Sequence, residues 1–236
     1  MAPPDPAGAG VIEQVVPPWV AAVETRQDGT EDHLYPAERE VIANAVSKRR
    51  AEFSTVRRCA RTALGQLGVP PAPIVPGERG APTWPVGVVG SMTHCAGYRA
   101  AAVAASGRAI SIGLDAEPHE PLPDGVLEIV ATADERERLG TLATADESVH
   151  WDRMLFTMKE SVYKAWFPIT GRWLDFHEAS IVVDAARGRF LARLLVPSVT
   201  VAGTELTAFS GRFLIADGLV ISAIVLERAH RSAPVS

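Results

Sequence analysis

Twice along this chain a long stretch of helical apolar spacing gives way to runs that alternate like strands, and that order limits the architecture more than any single motif. In the first stretch, Pro36 to Leu67, the residues Ile42, Val46, Phe53, Val56, Ala60, Ala63 and Leu67 recur at steps of three or four, or sums of them. One long amphipathic helix is predicted there, ended by Gly68 and the prolines of VPPAP. Residues 69–87 are rich in proline and glycine and read as an ordered loop. It leads into GVVGSMTHCAGYRAAAVAA, two strand runs around a Cys-Ala-Gly turn, and then AISIGLDAEP, a third. A helix-like segment at 124–140 precedes the second long stretch, Trp151 to Phe167, where Trp151, Leu155, Met158, Val162, Ala165 and Trp166 form a wide stripe. Beyond Gly171 come the strand runs ASIVVD, GRFLARLLV, LTAFSGRFLI and LVISAIVLE, with Asp217-Gly218 as a hairpin turn between the last two. At 236 residues an α+β fold follows, either one unit or two half-sized units sharing a core. No residue-level repeat is visible.

Charge and composition narrow the function. The net charge of -5 argues against a general nucleic-acid binder, whose footprint would be basic. No apolar run approaches the roughly 20 residues that cross a bilayer, so no membrane span is expected. The opening MAPPDPAGAG lacks the basic and apolar regions of a secretory signal. Residues 1–15 are therefore expected to be a loose lead-in, 229–236 a flexible tail, and the protein cytoplasmic. Cys59 and Cys95 show no metal or redox spacing and are expected as thiols in or near the core.

Any anion site must then be local. Lys48, Arg49, Arg50, Arg57, Arg58 and Arg61 lie within fourteen residues, opposed there only by Glu52, and Arg50, Arg57 and Arg61 fall nearly on one helix face. This is either a solvated basic face or an anion site. His94 sits at a turn edge, either as a structural hydrogen-bonding residue or, with the hydroxyls of Ser91 and Thr93, as part of a phosphate site. In AISIGLDAEP the two-residue period puts Gly113, Asp115 and Glu117 on one face. Adjacent carboxylates repel, so they mark either an exposed edge or a cation held by oxygen ligands, magnesium or a similar hard ion. On the Trp151 helix, Phe156, Glu160 and Lys164 line up at four-residue spacing, with Lys159 beside them. Glu160 and Lys164 are either a simple ion pair or, given their aromatic neighbours, buried functional groups.

The set GVVGSMTHCAGYRAAAVA, SIGLDAEPHEPLPDGVL and WDRMLFTMKESVYKAWFPITGRWLDF resembles the stand-alone bacterial 4'-phosphopantetheinyl transferases, from about Lys48 to Phe176 and more weakly to Leu226. That resemblance implies a pseudo-twofold arrangement of two similar α/β halves, 16–110 and 111–228, each with a small mainly antiparallel sheet and a long helix. The active site would lie between them, with coenzyme A bound mainly by the first half and the metal and catalytic groups on the second. It implies transfer of the phosphopantetheine arm of coenzyme A to a serine of apo acyl or peptidyl carrier proteins of polyketide, fatty-acid, siderophore or nonribosomal peptide synthases. The expected metal is magnesium, with manganese as a substitute, and the expected state a monomer. By the same likeness Asp115, Glu117 and Glu160 are metal ligands, Glu160 also the base for the carrier serine, and Lys164 the residue on the leaving phosphate. Lys159 is a further phosphate contact, and Arg49, Arg57, Arg79, Ser91, Thr93 and His94 are coenzyme A contacts. Pro76 stands where the family pattern suggests a basic residue, and Asp175 where it suggests glycine. Two other readings of the same residues are a magnesium-dependent phosphohydrolase acting on a nucleotide and a non-catalytic binding module for carrier proteins or coenzyme A.

Overall fold

A computed structural model describes residues 10–228 of the chain. It opens with a 3-10 turn at Ile12–Gln14 and strand β1 (Ala21–Thr25), followed by helices α1 (Pro36–Val41) and α2 (Ser47–Gln66) and strands β2 (Val88–Cys95) and β3 (Tyr98–Ala105). The three strands form an antiparallel sheet in the order β1-β3-β2. Next come β4 (Ala109–Pro118), α3 (Val126–Val130), α4 (Ala133–Ala145), α5 (Trp151–Thr170), β5 (Ala179–Asp184) and β6 (Arg189–Leu194). The short ribbon β7 (Val199–Val201) and β8 (Thr204–Leu206) precedes β9 (Ala208–Ala216) and β10 (Leu219–Glu227). These give a five-stranded antiparallel sheet in the order β4-β10-β9-β6-β5. Each half therefore sets a 20-residue helix on an antiparallel sheet, the two-part α+β design expected from the sequence.

Each helix buries its apolar stripe. Helix α2 packs Cys59, Ala60, Ala63 and Leu64 against Ala21, Ala101 and Val103. Helix α5 packs Met154, Leu155, Met158, Val162 and Trp166 against Phe190, Phe209 and Phe213. The opposite face of β4 and β10, with Ile112, Leu114, Ala116, Ile221 and Ala223, meets Ala22, Ala100, Ala102 and Ala104 of the first sheet. Small side chains on one side of that seam let the sheets approach closely. Both cysteines are buried thiols, as expected. The Asp217-Gly218 hairpin forms with φ of 52° and 72°, the left-handed pair a two-residue turn requires.

Three expectations need correction. The lead-in expected through residue 15 is ordered from Gly10: Val11, Ile12, Val15 and Val16 are buried in the seam. Glu24 holds this segment by accepting hydrogen bonds from the amides of Val11 and Ile12 at 3.0 and 2.8 Å. Burial of each of the four apolar side chains, Val11, Ile12, Val15 and Val16, contributes about 1.5–3 kcal/mol. Residues 1–9 and the tail at 229–236 lie outside the described residues. The helix expected over Pro36–Leu67 is two helices, because Val46 is extended (φ -64°, ψ 155°) and exposed while Ile42 turns inward onto Leu34 and Phe53. The helix at 124–140 is likewise divided, at a capping box in which Thr132 accepts from the Glu135 amide and Glu135 from that of Thr132.

Candidate active site

The site depends on how closely α5 approaches β4. A side chain on Gly113 would place its Cβ 1.9 Å from the Ser161 carbonyl oxygen, so only glycine permits this contact. Two buried hydroxyls fasten the helix: Ser111 donates to the Ala165 carbonyl at 2.8 Å and Ser222 to that of Thr157 at 2.9 Å. With α5 seated there, Glu160 and Lys164, one turn apart, hang over the Asp115 face of β4. The Lys164 ammonium donates to Asp115 Oδ1 at 2.6 Å. Glu117, two residues along the same face, pairs with Arg153 at 3.4 Å.

Asp115, Glu117, Glu160 and Lys164 open with Arg49, Arg57, His94 and Arg79 into one cavity of about 1040 Å³ between the halves. That is the upper end of the volume of ligand pockets, enough for a nucleotide with an extended arm. Burial, with Asp115 adjoining, pushes the Glu117 carboxyl up to about 7 despite the opposing pull of Arg153. Burial and Asp115 also raise Glu160, with Lys164 pulling the other way. A carboxylate that holds protons more tightly than usual is a better proton acceptor. Asp115 Oδ2 is buried with no hydrogen-bond partner, unlike most buried polar oxygens. Among the described residues no three His, Cys, Asp or Glu side chains form a ready-made metal cluster. Lys164 and Arg153 instead supply the positive charge beside Asp115 and Glu117.

The basic cluster is divided between structure and site. Arg50 forms a forked pair with Glu31 (2.9 and 2.5 Å), and Arg61 binds Glu38 at 2.7 Å. Glu38 is fully buried and also accepts from the amides of Ile74 and Tyr35 at 2.8 and 3.0 Å. Both acids lie upstream of the cationic run, so the sequence window that showed only Glu52 missed them. Arg57 is buried, donates to the Ile74 carbonyl at 2.7 Å and stands 3.8 Å from Glu38, yet lines the cavity. Arg49 reaches His94 Nε2 at 2.6 Å. Burial lowers the His94 pKa, and the adjacent guanidinium lowers it further. The imidazole is therefore neutral at pH 7, with Nε2 accepting from Arg49.

Lys159 is the clear correction among the expected site residues. It is buried and faces away from the large cavity, paired with Glu135 at 2.9 Å and donating to the carbonyls of Phe176 and Ala179. One residue from Glu160 is about 100° around the helix, which sends the two side chains to different neighbours. Arg79 is in the left-handed region (φ 51°) on a tight hairpin closed by the Pro76–Pro82 bridge, and its guanidinium stands 5.3 Å over the Trp173 ring. Asp175 caps the 3-10 turn Phe176–Glu178 by accepting from the His177 amide, so an acid replaces glycine there without strain. Ser91 and Thr93 are both in the cavity wall, but their oxygens accept from the amides of Leu114 and Ala116, each at 3.1 Å.

Carboxylates, a lysine and arginines thus line one cavity at the junction of two helix-on-sheet halves, an arrangement suited to a phosphorylated ligand. Residues 37–104 match the family model described as the 4'-phosphopantetheinyl transferase N-terminal domain, and residues 111–209 that of the 4'-phosphopantetheinyl transferase superfamily. The chain is 53% identical to the 4'-phosphopantetheinyl transferase Svp of Streptomyces mobaraensis, over 92% of this chain and 89% of that protein. It is 50% identical to Npt of Nocardia iowensis, over 91% and 99%, and 51% identical to PptT of Mycobacterium tuberculosis, over 81% and 85%. The chain belongs to the 4'-phosphopantetheinyl transferase superfamily and is a transferase. Among the described residues no helix is long and apolar enough to cross a membrane.

Proposed function

We propose that this enzyme moves the 4'-phosphopantetheine arm of coenzyme A onto a serine of an apo acyl or peptidyl carrier protein and releases adenosine 3',5'-bisphosphate. The observation that carries this reading is the meeting of three carboxylates and Lys164 with Arg49, Arg57 and His94 in one cavity. The serine oxygen forms the new bond to phosphorus, the pyrophosphate bridge breaks, and the serine proton passes to Glu160, whose raised pKa suits a base. Lys164, already a donor to Asp115, neutralises the leaving phosphate and can protonate it. Arg49 and Arg57, with neutral His94 as a hydrogen-bonding partner, hold the 3'-phosphate end. The attacking hydroxyl comes from the partner, so the chain needs no nucleophile of its own.

Asp115, Glu117 and Glu160 would hold a magnesium ion, for which manganese can substitute. What supports this is the donor chemistry, all carboxylate oxygens, and the buried, unpartnered Asp115 Oδ2; the three side chains are not already gathered into a cluster and would have to close on the ion. When bound, the ion supplies positive charge to the pyrophosphate oxygens. The carriers would be those of polyketide, fatty-acid, siderophore and nonribosomal peptide synthases, met in the cytoplasm. Incubation with coenzyme A, magnesium and a panel of apo carriers, followed by mass spectrometry, tests the reading. The expected result is one phosphopantetheine arm on the carrier serine, abolished by a chelator. Unmodified carriers together with phosphate released from a nucleotide would refute it.

A further inference from the structure

The Thr93 hydroxyl is committed on both sides. It is buried, its oxygen accepts from the Ala116 amide at 3.1 Å, and its proton goes to Asp115 Oδ1 at 3.2 Å. An ionised carboxylate and a backbone N–H leave no choice of direction: the first only accepts and the second only donates. A hydroxyl has one proton, so while Thr93 holds Asp115 it has none for a phosphate.

We propose that Thr93 is a positioning residue for Asp115, rather than a donor to coenzyme A. Thr93 lies on β2 in the first half and Asp115 on β4 in the second, so this contact aims a group of one half from the other. Two donors, Thr93 and Lys164, fix Oδ1, and Oδ2 is left as the free oxygen. Removing the hydroxyl frees the carboxylate to turn about its last torsion and leaves the Ala116 amide unpartnered. A side chain that orients a metal ligand in this way is typically worth about 10- to 100-fold in metal affinity or activity. The inference rests on the reading of Asp115 as a metal ligand.

The test uses Thr93→Val, which keeps the shape and loses the hydroxyl, Thr93→Ser, which keeps the hydroxyl, and Ser54→Ala as a control. Ser54 is buried in α2 and donates to the Thr30 carbonyl at 2.8 Å, away from the site. Manganese binding to the coenzyme A complex is followed by electron paramagnetic resonance, and coenzyme A and its 3'-dephospho form are titrated by calorimetry. Thr93→Val is expected to weaken manganese about 10- to 100-fold and lower kcat, while the preference for coenzyme A over the dephospho form stays intact. Thr93→Ser should restore both losses. If Thr93→Val does not fold, Thr93→Cys, of similar volume and with a weaker donor, should show the same losses at smaller size. Loss of the preference for coenzyme A would overturn the proposal by making Thr93 a phosphate contact. Equal weakening of manganese by Ser54→Ala would reduce Thr93 to general stability and overturn it as well. Unchanged manganese binding by Thr93→Val, where the wild type binds, overturns this inference alone; a wild type that binds no manganese overturns the metal reading and this inference with it.

Discussion

Replacing Gly113 by alanine should separate the two elements that build the site. The new Cβ would lie 1.9 Å from the Ser161 carbonyl oxygen and 2.8 Å from the Ala165 nitrogen, both backbone atoms that cannot rotate aside. Carbon and oxygen ordinarily approach no closer than about 3.3 Å, so α5 must retreat locally by about 1.4 Å. The Lys164–Asp115 contact, now 2.6 Å, would stretch to roughly 4 Å, beyond hydrogen-bond range. Overpacking of a tight core costs about 1–3 kcal/mol, and strain on the Ser111–Ala165 bond adds about 1 kcal/mol. A misplacement of about 1 Å can lower turnover on the order of 100-fold. Urea midpoints give the stability change, and single-turnover transfer to an apo carrier at saturating coenzyme A gives the rate. Gly140 in α4 is the control, because nothing lies within 4 Å of its Cβ position. Gly140→Ala should gain about 0.5–1 kcal/mol and leave turnover unchanged. A Gly113→Ala protein with the wild-type midpoint and rate would refute the reasoning.

Lys159→Met should destabilise the fold by about 3–5 kcal/mol, since it leaves Glu135 as a buried unpaired charge; titration of the folded protein should still give wild-type coenzyme A affinity, and a specific loss there would restore Lys159 to the phosphate site. Glu160→Gln keeps the shape and loses the base, so kcat should fall far more than coenzyme A affinity; if Glu160→Gln/Lys164→Ala recovers much of that activity in single-turnover kinetics, the two are only an ion pair. His94 has a folded pKa below its unfolded value, so the unfolded chain takes up a proton first on acidification. Its contribution to stability is full above about pH 6.5 and declines as pH falls through the folded value. His94→Gln should therefore lose less stability than the wild type between neutral and acidic pH, and parallel urea curves for the two proteins would contradict this.

Periodicity made the carboxylate face of β4 legible, because alternation alone puts Gly113, Asp115 and Glu117 on one side. It also aligned Glu160 with Lys164, and the structure gathers Asp115, Glu117, Glu160 and Lys164 in one cavity while Gly113 seats the helix. What failed was partner choice over long sequence separation. Arg61 is neutralised by Glu38 and Lys159 by Glu135, each pair 23 or 24 residues apart, and no local window couples them. The hydroxyls of Ser91 and Thr93 signalled hydrogen bonding without saying to what, and here they meet the amides of the neighbouring strand. The division at Thr132 was within reach, since T-x-x-E there spells a capping box, but the apolar spacing on either side concealed it. The same concealment joined α1 to α2.

Strand order carries a consequence for how the enzyme is made. Strand β10 follows the other nine in the chain, yet it lies between β4 and β9 in the larger sheet. While a ribosome is still producing the residues before Leu219, β4, the strand bearing Asp115 and Glu117, lacks its sheet partner. Pairing across more than a hundred residues is slow to nucleate, because the loop must close before any contact rewards it. The main-chain frame of the carboxylate strand is therefore among the last parts of the molecule to be completed, when the central strand is inserted.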